Sequence, residues 1–132
     1  MQSVININNI VKGELTIMNI NNIEPKHALL KLEGVPVDFL EDEVMIKHIL
    51  LSVAHNINAT VVKYDSVKFN PQGLTIYIVL AESHISIHTF PEIKTCWIDI
   101  FTCTDKMECE YGIRLIKQYI PHSKFESQLI KR

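Results

Sequence analysis

The chain has 132 residues, with 13 Lys+Arg against 15 Asp+Glu and a formal net charge of −2. A chain of this length holds one modest hydrophobic core, and its near-neutral charge excludes duplex-coating and polybasic membrane-surface proteins, which need clustered positive charge. With 47% hydrophobic and 8% aromatic residues and four glycines, it also falls outside the collagen-like and disordered classes.

Residues 1–25 differ in texture from the rest, because Asn6-Ile7-Asn8-Asn9-Ile10 recurs as Asn19-Ile20-Asn21-Asn22-Ile23. Two copies do not make a repeat architecture. The composition reads as a poorly ordered Asn-rich arm, whose Ile/Asn alternation also suits an added edge strand. The compact domain is expected over 26–132.

His27 to Glu33 reads as a strand ending at Gly34 and Pro36. Asp38 followed by Glu41 resembles a capping pair. The apolar set Ile46, Ile49-Leu50, Val53-Ala54 and Ile57 then has helical spacing, which predicts a helix over 41–56. Ala59 to Phe69 and Leu74 to Ala81 are β-rich runs on either side of Asn70-Pro71-Gln72-Gly73, a hairpin pattern. Ile85 to Phe90 alternates in period two and stops at Pro91, and Thr95 to Cys103 is another strand. Lys106 to Tyr119 reads as a second helix stopped by Pro121, and Lys124 to Ile130 as a last strand. The implied fold is α+β: a two-layer sandwich in which two helices cover one face of a largely antiparallel sheet. The other face of so small a sheet must meet solvent, a ligand or a partner subunit.

Three cysteines, Cys96, Cys103 and Cys109, with no C-x-x-C pair argue against a disulfide framework and for reduced thiols in the cytoplasm. If Cys96 and Cys103 flank one strand, their odd spacing puts them on opposite faces. No apolar run approaches the roughly 20 residues of a membrane-spanning helix, and no signal peptide is apparent.

His84 and His88 form H-x-x-x-H, a zinc spacing on a helix. On the strand expected here they stand roughly 13 Å apart, too far to share one ion, so no metal site is expected. Ser83-His84 lacks the G-x-S-x-G elbow of a serine hydrolase.

The segment AESHISIHTFPE, Ala81 to Glu92, closely resembles the processing segment of S-adenosylmethionine decarboxylase proenzymes of the short bacterial and archaeal class. FNPQGLT at Phe69 to Thr75 and WIDIFTCTD at Trp97 to Asp105 extend the resemblance, which runs from about His27 to Tyr119. It implies the S-adenosylmethionine decarboxylase fold and a self-cleavage between Glu82 and Ser83, giving a β chain of residues 1–82 and an α chain of residues 83–132. The Ser83 hydroxyl attacks the Glu82 carbonyl, and elimination and hydrolysis convert Ser83 into a pyruvoyl group. That ketone forms a Schiff base with the substrate amine and replaces pyridoxal phosphate as the electron sink.

By the same resemblance, His88 is the base that assists elimination, and Cys103 returns a proton to the substrate carbon after carbon dioxide leaves. Thr75 stands where the family has a serine that stabilises the processing intermediate. Glu92 matches a carboxylate that hydrogen-bonds ribose, and Phe69 an aromatic lining the pocket. His84 is supporting, and Cys96, Cys109, His48, His55 and His122 are structural.

Two departures stand out: Gly73-Leu74-Thr75-Ile76 replaces Gly-Val-Ser-Gly, and Thr104 replaces the Gly after Cys103. Ile76 is expected to crowd a ligand. A pyruvoyl-dependent ornithine or arginine decarboxylase is therefore the alternative enzyme, and a non-catalytic regulatory homologue the alternative of another class. The resemblance further implies a homodimer whose active sites draw on both protomers, with decarboxylated S-adenosylmethionine as the aminopropyl donor for spermidine. Nucleic acid and membrane partners are not expected.

Overall fold

In the computed structural model of the chain, the structure describes residues 24–132 and two short strands before them. Those strands, β1 (Ser3–Ile5) and β2 (Ile17–Asn19), pair antiparallel as a two-stranded sheet. They pair with each other, not as an added edge of the main sheet. Most of the Asn-rich repeat lies outside the described residues.

From Lys26 the elements run β3 (Lys26–Glu33), α1 (Val37–Leu40), α2 (Glu43–Asn56), β4 (Val61–Lys68), β5 (Leu74–Leu80), β6 (Ser83–Phe90), β7 (Thr95–Thr102), α3 (Cys109–Tyr119) and β8 (Lys124–Lys131). A 3₁₀ turn, Pro91–Ile93, joins β6 to β7. The six strands form one sheet in the order β4-β5-β6-β7-β3-β8, with every neighbouring pair antiparallel. The expected two-layer α+β sandwich is the fold observed, with a third, four-residue helix added at α1.

Period-two patterning assigns the two faces of the sheet. Ala28, Leu30 and Leu32, then Ile76, Ile78 and Leu80, then Ile85, Ile87, Ile98 and Ile100 point inward and are buried. Helix α2 covers them with Ile46, Ile49, Leu50, Val53 and Ala54, and α3 with Leu115 and Ile116. The alternate residues form an outer face that no element among the described residues covers, and there Trp97 is 40% exposed and Val67 50% exposed. Among the described residues, no helix is long and apolar enough to cross a membrane.

The ends of the elements differ from the sequence pattern in two places, and a third end, that of β3 at Gly34, falls as expected. The α2 cap is Asp42, whose carboxylate accepts the Met45 N–H at 3.0 Å, and not the Asp38/Glu41 pair. Asp38 sits inside α1, and Glu41 closes it. β6 begins at Ser83, two residues before the alternating run, because Ser83 pairs with Leu80 and Thr102. At the end of β3, Gly34 has φ +69°, and a Cβ there would fall 1.9 Å from Ser123 Oγ, so the turn requires glycine.

Leu50 is fully buried between α2 and the sheet, so Leu50→Ala is expected to cost about 2–5 kcal/mol. Asp42→Ala should cost about 1 kcal/mol through loss of its cap. Urea unfolding of the two variants tests the contrast, and equal losses would place the cap or the core elsewhere.

Candidate active site

The β5–β6 hairpin turns on two residues, Ala81 and Glu82, before Ser83 opens β6 with φ +158°, at the border of extended backbone. The Glu82–Ser83 junction is held from two sides. The Glu82 carbonyl accepts the Cys103 N–H at 3.0 Å, which anchors it to the end of β7. The Glu82 side chain is buried and its Oε1 accepts the Thr60 N–H at 2.8 Å, while the Ala81 N–H donates to the Thr60 carbonyl at 2.9 Å. Cys103 Sγ lies 3.9 Å from Ser83 Oγ. Glu82, Ser83 and Cys103 are thus brought together by the hairpin and the strand beside it.

His88 and Thr75 form a second group. They are direct cross-strand neighbours on β6 and β5, and Thr75 Oγ1 lies 2.9 Å from His88 Nδ1. His88 is exposed on the outer face, where an open depression of about 350 Å³ is lined by Leu29, Ser86, His88, Trp97 and Asp99 among others. Phe69 and Glu92 belong to this end of the sheet. The Phe69 N–H donates to the Gly73 carbonyl at 2.8 Å, Leu74 N–H to Thr89 Oγ1 at 2.8 Å, and Glu92 follows Phe90 in the 3₁₀ turn. Phe69 and Phe90 are both about half exposed, at 51% and 47%.

The two groups are apart. Ser83 and His88 are five residues apart on one strand, which at roughly 3.3 Å per residue is about 16 Å. Within one chain His88 therefore stands clear of the Glu82–Ser83 bond.

Three features escape the sequence pattern. Glu41 Oε1 accepts the Gly73 N–H at 2.7 Å, fixing the turn between β4 and β5, where Gly73 has φ +109°. Ile76 is fully buried on the inner face, so it packs in the core instead of crowding the side that carries Thr75. Thr104 Oγ1, beside Cys103, is a buried hydroxyl without a hydrogen-bond partner among the described residues.

A further and larger unforeseen feature is a cluster around Asp99. Its Oδ2 accepts from His27 Nε2 and from His84 Nε2, both at 2.8 Å, and its Oδ1 accepts from Ser86 Oγ. Because a carboxylate only accepts, both imidazoles present Nε2–H to it. Half-burial pushes the Asp99 carboxyl up, but the hydrogen bonds from Ser86, His84 and His27 outweigh this and hold it below its usual range. His84 therefore faces His27 across Asp99, not His88. The remaining histidines lie elsewhere: His48 and His55 are exposed on α2, and His122 bonds the Ile120 carbonyl at 2.7 Å.

The cysteines also separate by environment. Cys96 and Cys109 are buried, and burial pushes their thiols up to about 12 and about 11, whereas Cys103 is partly exposed.

An antiparallel sheet with helices on one face, a Glu-Ser hairpin junction beside a cysteine, and a Thr-His pair on the open face define an α+β sandwich enzyme. The family model described as S-adenosylmethionine decarboxylase matches residues 26–132, and the chain belongs to that family. It is 38% identical over 107 residues to a protein of Methanococcus maripaludis named S-adenosylmethionine decarboxylase proenzyme, covering 81% of this chain and 88% of that one. A proenzyme of the same name from Brevibacillus brevis is 31% identical over 107 residues, covering 80% of each. The crystal structure of the adenosylmethionine decarboxylase from Aquifex aeolicus superposes with a TM-score of 0.76 at 29% identity, covering 83% of this chain and 91% of that one.

Two measurements test the site as built. In the folded, unprocessed protein at pH 8, iodoacetamide should modify Cys103 and spare Cys96 and Cys109 until urea is added. Equal rates at all three would contradict the burial pattern. Asp99 has a folded pKa below its unfolded one, so its contribution to stability is present above the unfolded value near 4 and is lost as pH falls through the folded value. Asp99→Asn should therefore destabilise at pH 7 more than at pH 3 in urea titrations; an equal loss would place the effect outside titration.

Proposed function

We propose that this chain is a self-processing decarboxylase of S-adenosylmethionine, cut between Glu82 and Ser83 and working as a homodimer. The observation that carries the reading is the Glu82–Ser83 junction, where the carbonyl to be attacked accepts the Cys103 N–H and the attacking hydroxyl lies beside Cys103 Sγ. A donor already aimed at that carbonyl stabilises the charge that grows on its oxygen when Ser83 Oγ adds. The N-to-O shift gives an ester, elimination across the Ser83 Cα–Cβ bond releases the Glu82 carboxylate, and hydrolysis with loss of ammonia leaves a ketone at residue 83.

The residues present fit such a group: Ser83 lies between Leu80 and Thr102 at the mouth of the hairpin, with the thiol of Cys103 beside it. When formed, the pyruvoyl ketone supplies the electron sink for decarboxylation in place of pyridoxal phosphate. Cys103 is placed to hold a proton next to position 83 and to return it to the substrate carbon. Phe69 and Glu92, both on the Thr75 end, offer an aromatic face and a carboxylate to the nucleoside part of the substrate.

The separation of about 16 Å between Ser83 and His88 supports the homodimer. A second copy laid on the uncovered outer face about a two-fold axis, with its strands reversed, carries its own Thr75 and His88 to the first copy's Ser83 and receives the same in return. Each site then draws Glu82, Ser83 and Cys103 from one protomer and Thr75 and His88 from the other. Three thiols free of disulfides fit a reducing, cytoplasmic compartment.

Intact-mass spectrometry of the purified protein should show two chains, 1–82 and 83–132, the second beginning with a blocked residue. Ser83→Ala should abolish the cut. Carbon dioxide release should be seen with S-adenosylmethionine; release from ornithine or arginine alone would reassign the substrate, and an uncut, inactive chain would make it a regulator. Ser83→Ala and His88→Ala proteins should each be inactive, while their co-expressed mixed dimer, which contains one complete site, recovers activity. Failure of the mixture would show that each site is built within one chain.

A further inference from the structure

The cut proposed above creates a mechanical problem. Before cleavage, Ser83 is held by its peptide bond to Glu82; afterwards residue 83 is a chain terminus, and strand termini fray unless they are tied. The two new ends are not restrained alike. The Glu82 end keeps three bonds, from Cys103 N–H to its carbonyl, from Thr60 N–H to its side chain, and from Ala81 N–H to the Thr60 carbonyl. The residue-83 end loses its N–H with the departing ammonia, and one residue inward the His84 side chain donates to Asp99 at 2.8 Å.

Asp99 is itself fixed. It lies on β7 between β6 and β3, and it accepts from His27 on β3 and from Ser86 on β6 as well as from His84. The carboxylate thus cross-links three adjacent strands on the outer face, and through His84 it holds the residue next to the reacting group.

On the reading of Ser83 as the self-cleavage site, we propose that Asp99, acting through His84, is the positioning residue that holds the residue-83 end in place once the Glu82–Ser83 bond is cut. The intact chain supplies the same restraint through the Glu82 peptide, so loss of the tie acts on turnover and spares cleavage. A misplacement of 1 Å at a reacting group costs about 100-fold in rate, which sets the size of the effect.

The test uses the full-length chain carrying Asp99→Ala, His84→Leu or His84→Gln, with self-cleavage followed on denaturing gels and kcat and KM for S-adenosylmethionine measured on the cleaved fraction. Asp99→Ala and His84→Leu should cleave within about threefold of the unchanged chain yet lose between about 10- and 100-fold in kcat. His84→Gln, whose amide donor reaches about as far as Nε2, should recover most of that loss. Should Asp99→Ala or His84→Leu fail to fold by circular dichroism, Ser86→Ala strips only one of the bonds that orient Asp99 and should lower kcat about threefold with cleavage unchanged.

Full kcat in His84→Leu would overturn the proposal, as would cleavage and kcat falling in equal proportion. So would a stoichiometric divalent metal in the purified protein whose removal by chelator costs as much activity as Asp99→Ala, since His27, His84 and Asp99 would then be ion ligands. An unchanged chain that neither cuts nor releases carbon dioxide overturns the function proposed above. Normal activity of that chain with full kcat in His84→Leu overturns only the role of Asp99.

Discussion

A strand advances about 3.3 Å per residue, and the organisation of this chain follows from that advance along β6. Ser83 opens the strand and His88 lies five residues on, so the same strand that aligns them also keeps them apart. Each recruits its neighbours across the sheet. Ser83 is paired with Leu80 and Thr102 and meets Cys103 just beyond β7, while His88 is paired with Thr75 and Trp97. Two groups of site residues result, about 16 Å apart along one strand, and the homodimer proposed above would join them into one site. A two-fold axis is the simplest operation that superposes one on the other, because it reverses the strand and brings unlike ends together.

The uncovered sheet face gives the same constraint in energetic form. Alternation along β3, β6 and β7 sends an aliphatic set into the core and leaves Leu29, Trp97 and the Asp99 cluster outside. A second copy over this face would remove the exposed Trp97 from water, and at about 25 cal/mol per Å² of apolar area even a modest patch is worth several kcal/mol. The same covering would desolvate Asp99, which is costly for an unpartnered carboxylate. Three donors already satisfy it, so the charged cluster is compatible with burial in a way that a lone Asp on the same face would not be.

Most of the fold was legible because period two and period 3.6 are written into Ile and Val positions. The buried residues of α2, Ile46, Ile49, Leu50, Val53 and Ala54, are the apolar set that marks the helix in the sequence, and Ile57 follows it into the core. What was not legible depends on partners distant in sequence. Asp42 caps α2 because α1 turns the chain just before it, and a short helix of Val37–Leu40 leaves no periodic signal. β6 starts at Ser83 because Leu80 and Thr102 pair with it, which alternation within 85–90 cannot express. His27 and Asp99 are 72 positions apart, and only the placing of β3 beside β7 joins them. The residues of AESHISIHTFPE were found together in sequence, but their separation into two groups required the strand itself.

The departures at 73–76 show how parity limits the effect of a substitution. Thr75 and Ile76 are adjacent in sequence, yet one faces His88 on the open side of the sheet and the other the helices. Ile76 fills the core next to Ile87, so a branched side chain there tightens packing and does not reach the open depression. Thr75 keeps the hydroxyl that bonds His88, and its extra methyl is the only change presented to that face. Thr104 is different. It follows Cys103, its Oγ1 is buried without a partner among the described residues, and a buried unpaired hydroxyl costs about 1–3 kcal/mol. A glycine would carry no such group, so of the departures from the family pattern this is the one that places an unmet polar demand directly beside the residue assigned to move a proton.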